Sequence, residues 1–313
     1  MKRFIFKSLL FIVPVVALFF ALNALYVNTN YWKGENRINK FDDIPYNLEL
    51  GNLGSSHTCY GIKYDVEPKI NAWNFALDSQ RYFWDYGVLK EYIDHFAENA
   101  IVLIPISYFG VTGRGDYSEF RKRYYRILPK ESMDYWTLKE YILFCKLPFL
   151  SAGANRIHIF RDIPKEQMSP YFNRTAFLEG ERLLAYCIKK HEGWTEMDKA
   201  GGYEENIKEI SAVIDLCYSH KLRPVLITMP VTDVLNEIYA NDIDFFFTFE
   251  KFSKELCEKY SDLPYLDYSR DERFSANHSL FADGDHLNTI GAEMFTHILL
   301  SDLAAVISLE KCL

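Results

Sequence analysis

Leu50-Gly51-Asn52-Leu53-Gly54-Ser55-Ser56-His57 reads as the end of a β-strand running into a tight turn that carries a serine. Near the other end of the chain, Phe281-Ala282-Asp283-Gly284-Asp285-His286-Leu287-Asn288 places an aspartate and a histidine three residues apart. A serine hydroxyl is a weak nucleophile until a base within hydrogen-bond reach takes its proton and a third group orients that base. Ser56, His286 and Asp283 supply those three groups if the fold brings the two stretches together.

The pattern between them predicts such a fold. Tyr46 to Leu53 alternates as a first strand, and further strands are expected at Ile70 to Phe75, Ile101 to Ile106, Pro224 to Thr228 and Tyr265 to Asp267. Several are short continuous apolar runs, as buried parallel strands are. Helical stretches separate them: Thr58 to Tyr64, Ser79 to Phe96, Glu204 to His220 and Phe246 to Tyr260. In Glu204 to His220, Ile207, Ile210, Val213, Ile214 and Cys217 share one face. A last helix begins near Thr289, with Ile290, Met294, Ile298 and Leu303 on its expected inner face. Strands alternating with helices define an α/β class, here a flavodoxin-like three-layer sandwich around a central parallel sheet. Ligands of such sheets gather at the carboxyl ends of the strands, where Ser56, Asp283 and His286 all lie.

Ahead of this region the chain is of a different kind. Residues 1–7 carry Lys2, Arg3 and Lys7, and residues 8–27 are almost uninterrupted apolar side chains, long enough to span a bilayer. Positive charge before the span predicts a cytoplasmic N-terminus and an extracytoplasmic remainder. The apolar run is long for a signal peptide and its cleavage pattern poor, so an uncleaved single-pass anchor is the reading. A cleaved signal, giving a secreted protein, is the alternative. Residues 28–45 read as a linker, and 46–313 as one domain with an insertion at about 107–203. The insertion holds glycines from Gly110 to Gly115, a basic cluster of Arg121, Lys122, Arg123 and Arg126, and helical pieces near Met133 to Phe149 and Ala176 to Lys190. That cluster suits an anionic polymer or lipid head groups, or is simply a solvated helix face.

The net charge of −8 and the absence of a nucleic-acid motif exclude a nucleic-acid partner. The six cysteines, Cys59, Cys145, Cys187, Cys217, Cys257 and Cys312, form no Cys-x-x-Cys pair, so neither a zinc ribbon nor a thioredoxin-type site is signalled. Ser56 and Asp283 also suit helix caps, and His286 a buried structural histidine. His57, Asp283, Asp285 and His286 could form a metal site, but no His-x-x-x-His pair is present, and neither metal nor cofactor is expected. Asn173-Arg174-Thr175 and Asn277-His278-Ser279 match the glycosylation sequon.

Taken together, the two motifs resemble the SGNH/GDSL hydrolase superfamily. Gly54-Ser55-Ser56 matches its Gly-Asp-Ser block with serine for aspartate, and Asp283-Gly284-Asp285-His286 matches its Asp-x-x-His block, with Leu287-Asn288 and Gly291 following in the family's manner. The resemblance implies the SGNH fold over most of residues 46–304 and a Ser56–His286–Asp283 triad, with the Ser56 backbone N–H as one oxyanion donor. The third block, Gly-x-Asn-Asp, is replaced by Ser107-Tyr108-Phe109-Gly110, and the second-block glycine has no clear counterpart near Asn74. Asn74 and Ser107 are therefore the candidate further donors for the oxyanion or substrate. With the anchor, the chain looks like envelope members that assist D-alanylation of teichoic acid or O-acetylation of exopolysaccharide. That implies an ester hydrolase or O-acyltransferase acting on an acylated carbohydrate beside a multi-spanning membrane O-acyltransferase. A non-catalytic module of the same fold, which binds glycan or scaffolds the acyltransferase, is the alternative.

Overall fold

The computed structural model describes residues 2–36, 38–113, 120–161, 177–198 and 201–310. In chain order these form α1 (Lys2–Val27), α2 (Asn30–Asn36), β1 (Leu48–Asn52), α3 (Ser56–Gly61), β2 (Ala72–Asn74), α4 (Tyr82–Tyr92), β3 (Phe96–Pro105) and α5 (Tyr108–Thr112). There follow α6 (Leu138–Tyr141), α7 (Gly180–Asp198), α8 (Tyr203–Ser219), β4 (Arg223–Thr228), α9 (Asp233–Asn241), α10 (Ile243–Lys259), β5 (Tyr265–Asp267) and α11 (Thr289–Glu310). The chain divides into two compact units, one of Met1–Asp43 with Tyr117–Ser169, the other of Ile44–Asp116 with Pro170–Leu313.

In the second unit five strands form one wholly parallel sheet in the order β2-β1-β3-β4-β5. This is the flavodoxin-like order expected from the alternating pattern. The direction of winding reverses between β1 and β3, so a crevice opens at their carboxyl ends. β3 is longer than its apolar run, and its pairing with β1 shifts register between Leu48 and Leu50.

The central strands β3 and β4 are covered on both faces, which is why they read as continuous apolar runs. Leu50, Ile101, Leu103, Val225 and Ile227 point into one core with Phe274, Phe295, Leu299 and Leu303. Residues of opposite parity, Val102, Ile104 and Leu226, are equally buried. On α8, Ile210, Val213, Ile214 and Cys217 are buried as their spacing requires, and this helix packs on α4 and β4.

α11 departs from expectation. Its buried face carries Ala292, Phe295, Leu299 and Leu303, while Ile290 and Met294 face outward and Ile298 is partly buried. Gly291 sets this rotation, because a Cβ there would lie 2.1 Å from the Leu280 carbonyl oxygen. Only the glycine edge of the helix can approach that chain so closely.

The first unit joins the apolar helix to part of the expected insertion. Among the described residues one helix is long and apolar enough to cross a membrane, over Phe6–Val27 with mean hydropathy 2.4. The stretch expected as a linker holds α2 and a 3-10 turn at Ile38–Phe41. In the basic cluster Arg121 pairs with Asp134 at 2.6 Å, Arg126 pairs with Asp42 at 3.3 Å, and Arg123 lies over the Phe120 ring. Cys59, Cys145, Cys187, Cys217 and Cys257 are free thiols. Cys312 and the sequon at Asn173 lie outside the described residues.

Candidate active site

β1 delivers its last residue, Asn52, to a turn that only a few side chains permit. Gly54 has φ +108°, and a Cβ on it would lie 2.2 Å from Pro105 Cγ on β3. Its N–H donates to Asp85 Oδ1 at 2.8 Å, and Thr58 Oγ1 donates to the Leu53 carbonyl at 2.8 Å. The turn is thus held from both sides and releases the chain into α3. Ser55 occupies the N-cap position without a side-chain cap bond, and Ser56 is the first helical residue. The capping reading of Ser56 is therefore not what the structure shows.

Ser56 Oγ lies 2.8 Å from His286 Nε2. The other ring nitrogen, Nδ1, lies 3.1 Å from both oxygens of Asp283. Asp283 Oδ1 also accepts the backbone N–H groups of Asp285 and His286, at 3.0 and 2.8 Å, which fixes the carboxylate inside its own loop. The loop is closed by the Ala282 N–H donating to the His286 carbonyl and by a bridge between Phe281 and Leu287. Asn288, not Asp283, caps α11, accepting from the N–H groups of Ile290 and Gly291. The three residues picked from sequence are thus brought together, with Asp283 and His286 buried.

A second carboxylate reaches the same histidine. Asp285 Oδ1 lies 3.3 Å from His286 Nδ1, and its Oδ2 lies 2.9 Å from His57 Nε2. Tyr186 Oη donates to Asp285 Oδ1 at 2.9 Å, and Lys190 Nζ stands 3.2 Å from Oδ2. The His57 and His286 rings are 4.5 Å apart. Burial opposes charge on His286, but the Asp283 and Asp285 carboxylates outweigh it and hold its pKa at about 10. Burial, then the neighbouring His286, push His57 below the ordinary histidine range. Burial works to raise Asp285, but His286 and His57 hold it well below the ordinary carboxylate range. Both carboxylates thus stand on the Nδ1 side of His286 and favour its protonated form, while His57 alongside is held towards its neutral form.

His57, Asp285 and His286 each offer one donor atom within 4.8 Å of the others, a grouping able to hold a metal ion. In this structure those atoms engage one another, Ser56 and Asp283.

The two further candidates fare differently. Asn74 donates to the carbonyls of Thr58 and Ile62 at 2.9 and 3.0 Å, and its Oδ1 accepts from Asn52 and Ala76. Both amide hydrogens are committed to anchoring α3, and none is left for an oxyanion. Ser107 opens α5 with no side-chain cap bond. It lines a half-open pocket of about 300 Å³, mouth included, together with Gly54, Ser55, Arg81 and Phe109. Phe109 lies edge-on to His57, ring centroids 5.0 Å apart. Tyr186 and Lys190 were not legible as site residues. Their one signal was the four-residue spacing that places both on one face of a helix.

No family model and no curated protein matches the chain. Nineteen chains of solved structures are similar to it, two of them as follows. One is a candidate acylhydrolase from Bacteroides fragilis, 10% identical, covering 87% of this chain and 95% of its own, with a TM-score of 0.43. The other is a GDSL-like lipase from Bacteroides thetaiotaomicron, 12% identical, covering 84% and 88%, with a TM-score of 0.39. The likeness to the SGNH/GDSL hydrolases stands on the chain's own geometry: a serine turn after β1, an Asp-x-x-His loop after β5, and the five-stranded parallel sheet that joins them.

Proposed function

We propose that the protein is a membrane-anchored, extracytoplasmic serine esterase or O-acyltransferase of the SGNH type, acting on acyl esters of envelope or exported polysaccharide. The observation that carries this is the chain Ser56 Oγ to His286 Nε2 to Asp283, at 2.8 and 3.1 Å, with Ser56 partly exposed and the other two buried. In this reading Ser56 Oγ attacks the ester carbonyl as its proton passes to His286 Nε2. The C–O bond to the alcohol breaks, and His286 returns the proton to the departing oxygen. Water or a sugar hydroxyl then takes the acyl group from Ser56 by the same steps reversed. The Ser56 N–H, at the opening of α3 where no intrahelical partner exists, faces the developing oxyanion. Ser107, beside the serine turn, is the side-chain candidate for a second donor.

The apolar helix α1 supports the anchor reading, with Lys2, Arg3 and Lys7 on the cytoplasmic side. Its last turns are packed within the first unit, where Asn23 and Tyr26 are buried, which supports an uncleaved helix. Acylated carbohydrate as substrate and a multi-spanning acyltransferase as partner rest on the family likeness.

One observation favours the second reading, a non-catalytic glycan-binding or scaffolding module: Asn74 has no amide hydrogen free for an oxyanion. A fluorophosphonate probe on the full-length protein separates the two. Labelling that disappears in Ser56→Ala is the expected result. Folded protein that does not label, with or without the substitution, sinks the catalytic reading.

A further inference from the structure

The irregular segment that packs on α1 has its polar backbone sealed by side chains. Phe149, on a 3-10 turn at Pro148–Leu150, packs against both Phe19 and Tyr26. Asn23, between them on α1, is 8% exposed. Its Nδ2 donates to the Lys146 carbonyl at 3.0 Å, and its Oδ1 accepts the Phe149 N–H at 3.2 Å. At 1.5 Å per residue, Phe19 lies roughly 12 Å and Asn23 roughly 6 Å before the end of the helix at Val27. The 3-10 turn therefore sits level with the last two turns of the apolar stretch.

Other carbonyls of this segment are closed in the same way. Arg156 donates from Nε to the Phe149 carbonyl at 2.9 Å and from Nη2 to the Leu150 carbonyl at 2.8 Å. Ser151 Oγ reaches the carbonyls of Leu143 and Pro148, both at 3.1 Å. A loop in water needs no such closure, since water satisfies its carbonyls. Non-helical backbone at membrane depth does need it. The exposed side chains of these elements include the large apolar Leu138, Ile142, Leu150, Ile157 at 51% exposure and Phe160 at 80%, beside the polar Lys139, Lys146, Ser151 and Arg156.

We propose that residues 138–160 form a collar immersed in the outer leaflet around α1, with Leu150, Ile157 and Phe160 among the lipid acyl chains. The collar lies within the unit that contains α1. The proposal rests on α1 being a membrane span. Lipid is the occupant because the collar is continuous with the apolar helix and fixed at its depth. The polar ends of Lys146, over the Tyr141 ring, and Arg156, over Phe149, suit the head-group boundary.

Photocrosslinking of the full-length chain in native membranes tests this. A benzophenone amino acid is placed singly at Leu18, Ile157, Phe160 and Glu98, and adducts are read by mass spectrometry. Lipid adducts at 18, 157 and 160 but not at 98 are expected. Lipid at 18 with protein adducts at 157 and 160 would make the patch a protein-docking surface and overturn the collar. Lipid at 18 with no adduct at 157 or 160 would place the segment in water and overturn it equally. The absence of lipid at 18 would instead remove the span on which the proposal rests.

Discussion

Asp283→Asn should cost less activity than removal of the orienting carboxylate costs in a triad with only one. With a single carboxylate, its amide replacement lowers turnover about 10⁴-fold, or about 5.5 kcal/mol at 1.36 kcal/mol per tenfold. Here Asp285 Oδ1 stands 3.3 Å from the same Nδ1 that Asp283 holds at 3.1 Å. At an effective dielectric near 20, a unit charge at that distance stabilises the imidazolium by about 5 kcal/mol, the scale of the whole orienting effect. Asp283→Asn alone should therefore lose roughly 10²-fold in kcat/KM, Asp285→Asn roughly tenfold, and the double variant roughly 10⁴-fold, each decade being about 1.36 kcal/mol. The excess in the double variant, about tenfold, is the coupling between the two carboxylates. An asparagine oxygen can still accept the N–H groups of residues 285 and 286, so the loop should keep its shape, checked by Tm. The assay is hydrolysis of a chromogenic acetyl ester by purified full-length protein. A 10⁴-fold loss in Asp283→Asn with no effect of Asp285→Asn would refute the shared-carboxylate argument. Equal turnover in every variant would refute the triad itself.

Three further outcomes are expected. Because His286 must be neutral to act as a base and its pKa is held at about 10, log kcat/KM should climb with pH from neutrality towards that value, and Asp285→Asn should move the climb to lower pH; a profile flat above pH 7 contradicts this. Stability should fall in two pH windows. Burial raises Asp85 to about 7, so its contribution is full below the unfolded carboxylate range near 4 and is lost as pH rises through 7; the His286 ion pairs contribute fully below about 6.5 and are lost as pH rises through about 10. Asp85→Asn keeps an oxygen for Gly54 N–H and Gln80 Nε2 and should abolish the lower window without lowering Tm at pH 8, read by thermal melts. Phe295→Ala should destabilise by about 3–5 kcal/mol, whereas Ile290→Ala on the outer face of α11 should stay within about 0.5 kcal/mol by urea titration, a contrast that reverses if Ile290 faces the core.

The sheet was legible because burial on both faces marks β3 and β4 as continuous apolar runs, and the alternation of strand and helix stretches placed the other three strands around them. The meeting of Ser56, His286 and Asp283 was legible because each half is local: a strand that leads into Gly54-Ser55-Ser56, and a loop whose Asp283 reaches His286 within one turn. Asp285 was harder, since two acidic residues flank Gly284 and only the tertiary position of His57 and Tyr186 assigns the second one a partner. Tyr186 and Lys190 come from a stretch read as insertion, and nothing in its order ties it to a loop 99 residues later. The inner face of α11 was misassigned because Ile290 and Met294 are the larger apolar groups near its start. The close approach of Gly291 to Leu280 outweighs their size. Asn74 looked like a donor from its place at the end of β2, but the carbonyls of Thr58 and Ile62 claim its amide first.

The bond between Ser56 and His286 joins residues 230 positions apart. Closing so long a loop costs chain entropy that local contacts do not. A chain still emerging holds the serine but has no base to activate it. Under the proposed function, Ser56 would gain its base only when the loop carrying His286 has docked, so molecules clipped before that loop should not label with a serine-directed probe.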